Sequence, residues 1–367
     1  MCTYQRIILG IMLLLSTWGA GCQKQETDRD TVTVGVLTIL TGANSSYGEY
    51  TKQGLELATN TLGEPKIRLL YKDTKADPQE AIRVFKELQS ANVPVVIGPF
   101  TSTEVRQVGP QAQEAKITLI SSSATADDLS AIGDHIFMML PPNSQQGADQ
   151  AAFAADVLKA KRAVILYREN PYGQTLREAF SDAFKKRNGV VTRELGFPDG
   201  EEDFRDRLKE LAGLNPDVVF FPVHDDDAGR ILRQAHEVNF PKEAVFLGCD
   251  GSMSDTMLKL AGDAAEGSIF SNVASVDASF DESYNHTYNA NPSPYAASSY
   301  DTLMVIHRLA KDGARSSEEF RQGLVSLHGY SGASGLTKFT QVNKSYWALS
   351  KSYRQFEVVD GKFQLRK

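Results

Sequence analysis

Short apolar runs that stop abruptly at Gly, Pro, Ser or Thr recur along this chain, separated by longer segments with helical periodicity. The clearest are Val93–Ile97, followed by Gly98-Pro99-Phe100-Thr101-Ser102, and Ile117–Ile120, followed by Ser121-Ser122-Ser123-Ala124-Thr125. A continuous apolar run of that length reads as a strand buried on both faces, as in a parallel sheet. Polar residues directly after such strands lie at their carboxyl ends, where open α/β sheets bind ligands. Two hydroxyl-rich loops in that position point to a site for a small anionic or zwitterionic molecule.

The same alternation extends through most of the chain. It predicts strands at Val32–Leu37, Lys66–Asp73, Val93–Ile97 and Ile117–Ile120, with helices at Tyr50–Leu62, Pro78–Ser90 and Thr103–Ala115 between them. Asp77 before Pro78 is a cap followed by Pro in the first turn. The pattern restarts with strands at Ala163–Tyr167, Val190–Leu195, Val218–Phe221 and Val245–Leu247, and helices at Pro171–Arg187, Phe204–Leu211, Ala228–Val238 and Ser254–Leu260. Strands alternating with helices of this length mean βαβ units and parallel sheets. Two runs of the pattern predict two doubly wound lobes in an α/β chain. The C-terminal part differs: helices at Ser298–Lys311 and Ser317–Val325, then a hairpin of Tyr353–Val359 and Lys362–Leu365 around Asp360-Gly361.

The ends add a compartment. Arg6, the apolar run Ile7–Leu15 and the small residues that follow read as a secretory signal over residues 1–21. The run is too short for a membrane span. Gly19-Ala20-Gly21-Cys22 resembles a bacterial lipobox, with Gly19 where such motifs carry Leu; the resemblance implies that Cys22 is acylated and becomes the new N-terminus. Ordinary cleavage, with Cys22 a bystander, is the other reading. Residues 22–30 are polar and aperiodic, as a tether to a membrane would be. The expected location is the periplasm or cell surface.

Charge and cysteine usage narrow the partners. The chain carries 39 basic and 46 acidic side chains, a net of −7, and no dense Lys/Arg block. Nucleic acid is therefore excluded as an expected partner. Of three cysteines, Cys2 leaves with the signal; with Cys22 lipidated, Cys249 has no disulfide partner. No cofactor motif occurs.

Nine short pieces carry a resemblance. They are Val34-Gly35-Val36 with Thr41-Gly42 and Tyr47-Gly48; Asp73 with Asp77-Pro78; Ile97-Gly98-Pro99 with Ser102; Ile120-Ser121 with Ala124-Thr125; Tyr172-Gly173; Asp203-Phe204; Ile231-Leu232-Arg233-Gln234-Ala235; Ala265-Glu266-Gly267; and Tyr300-Asp301. Each is weak alone, but in this order they resemble the type I periplasmic binding proteins of ABC transporters, in the branch that binds leucine, isoleucine and valine. The resemblance covers roughly residues 31 to 367. It implies two α/β lobes joined by three crossovers, near Leu140–Pro142, Ser271–Ser275 and Tyr346–Lys351. Lobe 1 then takes residues 31–141 and 275–348, and lobe 2 takes 142–274 and 349–367. It also implies a monomer that captures an amino acid in the interlobe cleft and delivers it to a membrane permease. In some members a disulfide joins the loops that here hold Ala76 and Thr101.

A free amino acid needs donors for its carboxylate and acceptors for its ammonium. Ser102, where a strand turns into a helix, fits an anion site made of its hydroxyl and the free N–H groups of the first helical turn; it also fits a plain N-cap. By resemblance Thr125 bridges carboxylate and ammonium, and the Ser123 carbonyl accepts from the ammonium; the alternative is a polar turn. Asp250, again at a strand's carboxyl end, matches an acidic residue that pairs with the ammonium, one methylene shorter than the Glu of the branched-chain binders. Its other reading is a cap before the helix at Ser254. Tyr47 and Tyr172 match aromatics that flank the ligand, although Tyr172 also reads as a loop packing residue. His224 either lines the pocket or merely opens the acidic run Asp225-Asp226-Asp227 before a helix. Tyr47, Phe100 and Tyr295 suggest an aromatic surface for the ligand side chain.

An enzyme with Cys249, His224 and Asp250 as nucleophile, base and orienter is disfavoured, because the cysteine has no activating signature. Consecutive acids beside one His do not make a metal site. A stand-alone ligand sensor, or a binder of amides, urea or aromatic acids, is the expected alternative to amino-acid transport.

Overall fold

The computed structural model describes residues 31–42 and 44–366. Cys22, the signal and the tether lie outside the described residues.

Two seven-stranded sheets organise the chain; in each, the second strand in sequence forms one edge beside the first, and the later strands add on the first strand's other side. The first begins with β1 (Thr31–Thr38), α1 (Ser45–Thr61), β2 (Lys66–Asp73), α2 (Pro78–Ser90), β3 (Val95–Ile97), α3 (Ser102–Glu114), β4 (Thr118–Ser121) and β5 (Ile136–Met138). The chain then passes through α4 (Asn143–Ala152) into the second sheet. That sheet takes β6 (Arg162–Arg168), α5 (Pro171–Lys186), β7 (Val190–Phe197), α6 (Arg205–Ala212), β8 (Val218–Phe220), α7 (Asp225–Glu237), β9 (Val245–Gly248), α8 (Asp255–Ala261) and β10 (Ile269–Val273). A return leg adds α9 (Ala278–Tyr288), α10 (Pro294–Lys311), α11 (Ser317–Val325), the small hairpin β11 (Tyr330–Gly332) and β12 (Gly335–Thr337), and then β13 (Thr340–Val342) and β14 (Ser345–Trp347), which rejoin the first sheet. Finally β15 (Tyr353–Val359) and β16 (Lys362–Leu365) finish the second.

The strand orders are β2-β1-β3-β4-β5-β14-β13 and β7-β6-β8-β9-β10-β15-β16. One order thus occurs twice. Each lobe has five parallel strands, and an antiparallel pair closes the far edge. The difference lies at the join: β14 runs parallel to β5, whereas β15 runs antiparallel to β10. The chain crosses between the sheets through residues 139–142, 274–277 and 348–352. No helix among the described residues is long and apolar enough to cross a membrane.

The central strands are buried on both faces, as their unbroken apolar runs require. Val34 and Val36 pack with Leu303 and Ile306 of α10 on one side of sheet 1, and Val96 and Leu119 pack with Phe85 of α2 and Val108 of α3 on the other. In sheet 2, Val164 and Val219 meet Ile231 of α7, while Ile165 and Phe220 meet Leu176 and Phe180 of α5. Two helix-covered faces per sheet make each lobe a rigid three-layer body.

Candidate functional site

The carboxyl ends of both sheets face each other across a cleft, and the strand-to-helix turns there carry the candidate residues. In lobe 1, β1 leads to Tyr47-Gly48 in the first turn of α1; in lobe 2, β6 leads to Tyr172-Gly173 in the first turn of α5. A Cβ on Gly48 would lie 1.7 Å from the Ile39 carbonyl oxygen, and one on Gly173 2.2 Å from that of Arg168. Only glycine lets each helix press against the strand end and push the preceding tyrosine into the cleft.

Phe100, Thr101, Ser102, Ser123, Ala124 and Tyr295 of lobe 1 and Tyr172, His224, Asp250 and Gly251 of lobe 2 line one small cavity of about 10 Å³. Tyr47 stands behind it, stacked on Phe100 at 4.6 Å and edge-on to Tyr295 at 5.7 Å. Across the cleft Tyr172 stacks on His224 at 5.0 Å. Four rings, Phe100 and Tyr295 from lobe 1 and Tyr172 and His224 from lobe 2, therefore wall the space, with Tyr47 behind them.

The lobe 1 end is built from hydroxyls and backbone. Thr101, not Ser102, caps α3, in a capping box with Glu104. Ser102 is the first helical residue, and its Oγ accepts from the Thr125 and Ala126 N–H groups at 3.2 Å each. That bond joins the two hydroxyl-rich loops. Ser123 Oγ donates to the Phe100 carbonyl at 2.6 Å. Thr125 is buried, and its Oγ1 has no protein partner. A helix N-terminus, a serine and an unpartnered buried hydroxyl make a donor-rich end without a full charge.

The lobe 2 end is an acceptor. Asp250 is 1% exposed. It accepts from the Tyr172 hydroxyl at 2.7 Å and the Tyr295 hydroxyl at 3.3 Å. Ser254, not Asp250, caps α8, so the capping reading of Asp250 does not hold. Burial pushes the Asp250 carboxyl above the usual carboxylate range, and the Tyr172 hydroxyl pulls it part of the way back. No Lys or Arg lines the cavity. A cationic ligand group would supply the missing counter-charge. His224 does line the cavity; burial, with Arg168 nearby, holds its pKa down to about 3, so the ring is neutral. Its Nδ1 has no protein partner. Burial also pushes the Cys249 thiol up, the opposite of an activated nucleophile. Among the described residues, no cluster of three His, Cys, Asp or Glu side chains is placed to hold a metal.

The cleft also holds residues that the sequence reading passed over. Asp225, fully buried at the start of α7, accepts from the Ser46 hydroxyl of α1 and the Ser254 hydroxyl, both at 2.8 Å. In the sequence it stands only as part of the acidic run Asp225-Asp226-Asp227. Gly251 accepts from the Tyr47 hydroxyl across the cleft, and its N–H donates to the Tyr172 hydroxyl at 2.9 Å. Backbone groups of this kind leave no signal in residue type.

Comparison with known proteins agrees with this geometry. A sequence profile described as periplasmic binding protein matches residues 31–362. The Leu/Ile/Val-binding protein of Escherichia coli K12 is 26% identical over 253 residues, which is 67% of this chain and 68% of that protein. The branched-chain amino acid transporter substrate-binding protein of Streptococcus pneumoniae, solved in complex with isoleucine, superposes with a TM-score of 0.84 at 26% identity, over 92% of this chain and 99% of that one. A leucine-binding protein from Thermotoga maritima superposes with a TM-score of 0.85 at 24% identity, over 92% of this chain and 98% of that one, and so shares the fold. Two equivalent lobes, a cleft at facing carboxyl ends and a profile match over nearly the whole described chain lead to one conclusion: the chain belongs to the periplasmic binding protein family, type I, in the branch that includes the Leu/Ile/Val-binding proteins.

Proposed function

We propose that this protein captures an amino acid with an uncharged side chain in the interlobe cleft and delivers it to an ABC transporter permease. The observation that carries the reading is the division of the cavity's polar ends: hydroxyls and helix N–H groups without charge on lobe 1, one buried carboxylate without a cation on lobe 2. A zwitterion satisfies both. Ser102, Ser123 and Thr125 hold the carboxylate side, Asp250 takes the ammonium with Tyr172 beside it, and Tyr47, Phe100, Tyr295 and His224 surround the side chain. The lobes, 31–141 with 275–348 and 142–274 with 349–367, close as bodies about the three connections. Closure is driven only by contacts that are better in the closed state. No chemical step is required of any residue.

The relatives' names supply the ligand class. The Escherichia coli relative is a Leu/Ile/Val-binding protein, and the Streptococcus pneumoniae structure holds isoleucine. Cleavage before Cys22 and acylation of that cysteine would hold a monomeric protein at the outer face of a membrane, beside its permease. Cys22→Ser should move the protein from the membrane fraction to the soluble one; retention would refute the anchor.

The decisive test is a thermal-shift screen of the chain from Gln23, unfolded and refolded to strip carried-over ligand. The panel is the twenty amino acids, simple amides, urea and aromatic acids. Neutral amino acids should raise the melting temperature. A response to acids or amides alone would overturn the ammonium role of Asp250. A response to none of them would favour a sensor of another ligand.

A further inference from the structure

Lobe 1 does not meet lobe 2 only around the cavity. The first turns of α1 reach across beyond it, with Ser46, Tyr47 and Tyr50 on one side and the starts of α7 and α8 on the other. Ser46 Oγ donates to Asp225 Oδ2 at 2.8 Å. The Tyr47 hydroxyl accepts from the Asp225 N–H at 3.1 Å, and the Tyr50 hydroxyl from the Asp255 N–H at 3.2 Å. Asp225 and Asp255 are the first residues of their helices, so these N–H groups have no acceptor within the helix. Hydroxyls of one lobe thus cap backbone donors of the other.

The capping is reciprocal. α1 has no side-chain cap of its own, and its first turn contains no acid. The Asp225 carboxylate, brought in from lobe 2 and touching Ser46, supplies the negative charge that the start of a helix favours. In the closed form Asp225 is fully buried, yet no Lys or Arg bonds to it; its partners are Ser46, Ser254 and the Asp226 N–H. Opening the cleft would break the Ser46, Tyr47 and Tyr50 bonds together. Ser46 and Tyr50 are not among the residues that line the cavity, so their bonds involve no group that faces it.

We propose that Ser46, Tyr50 and Asp225 form a latch that holds the lobes closed independently of the ligand, making them positioning residues that set how fast a bound ligand leaves. The link to release rests on the proposed ligand site; the latch does not. Closure without ligand raises the population of the binding-competent form and slows opening of the loaded one.

Small-angle scattering of the ligand-free chain tests the latch without any knowledge of the ligand. The wild-type chain should be compact, and Ser46→Ala combined with Tyr50→Phe should raise its radius of gyration. Ser46→Thr combined with Tyr50→Phe, which keeps the hydroxyl at position 46, should restore part of the compactness, a rescue that a merely structural role would not show. Unchanged melting temperatures would separate opening from unfolding. With L-isoleucine as probe, the double variant should release at least about tenfold faster, since it loses two interlobe hydrogen bonds, one of them to a carboxylate. An open wild-type chain, or a double variant as compact as wild type, overturns the latch. Failure of L-isoleucine to bind any of the proteins would count against the proposed ligand and leave the scattering result to decide the latch.

Discussion

In lobe 1 the first strand gives way to Tyr47-Gly48, and in lobe 2 to Tyr172-Gly173, in the same position of the same strand order. From there the two lobes diverge. Tyr172 turns inward to its own lobe, donating to Asp250. Tyr47 reaches across, donating to the Gly251 carbonyl. The loops divide the chemistry in the same way: lobe 1 lines the cavity with Thr101, Ser102 and Ser123, and lobe 2 with His224 and Asp250, of which only Asp250 carries charge. One fold used twice therefore gives two unlike faces. A ligand with a negative and a positive end gains both only when the faces meet, which ties recognition to closure.

The largest effect should come from removing the charge on the lobe 2 face. Asp250→Ala should weaken binding of a neutral amino acid by about 2–5 kcal/mol, the range for losing one partner of a buried charge pair. Titration calorimetry reads this directly. The matching acid without an amine should bind the variant no worse than wild type, since Asp250 only repels it. Equal losses for both ligands would break the division between the lobes.

On the lobe 1 face, Ser102→Ala removes the hydroxyl that bridges to the Thr125 and Ala126 N–H groups. The expected loss is about 1.5–3 kcal/mol, as for a hydrogen bond to a charged group. Here the amino acid and its deaminated analogue should suffer alike, because both present a carboxylate. A loss confined to the amino acid would move Ser102 to the wrong end of the ligand. Tyr172→Phe should cost less, about 1 kcal/mol, by depriving Asp250 of one donor and the Gly251 N–H of its acceptor.

Much of this comparison was legible in residue order. The parallel strands, buried on both faces, declared themselves as unbroken apolar runs, and β2, α2, α11, β15 and β16 lie where periodicity and turn residues put them. What the pattern hid is instructive. α4 lacks an apolar stripe because its inner face is made of amides: Asn143, Gln146 and Gln150 are fully buried and donate to the Tyr172, Ser271 and Gly248 carbonyls. A helix packed by hydrogen bonds to backbone carries no hydrophobic signal. β10 was missed because Ser271 and Asn272 interrupt its apolar run, though both are buried. Among the residues that line the cavity, Ser102, Ser123, Tyr172, His224 and Asp250 could be picked out by their side-chain chemistry, whereas Thr125 is buried but not part of the lining. Asp225 was hidden because its partner Ser46 lies in the other lobe, far away in sequence.

The smallest effect sharpens the comparison most, because it reads charge without mutation. His224 is held down to about 3 and takes up no proton between pH 5 and 8, and Asp250 is the carboxyl among the residues that line the cavity. Burial raises the pKa of Asp250. A ligand ammonium beside it favours the ionised form and lowers that pKa again. Binding therefore expels a proton wherever Asp250 is protonated beforehand, and a ligand that expels a proton binds more weakly as the pH falls. Affinity for a neutral amino acid should decline on acidification, beginning above the usual Asp range and by no more than about tenfold per pH unit for one proton. Asp250→Asn should abolish the decline along with most of the affinity. A deaminated acid should show the opposite slope, since protonating Asp250 removes a repulsion. Calorimetry at descending pH with both ligands reads the two slopes. Slopes of the same sign would show that the charged face of lobe 2 does not meet the ammonium.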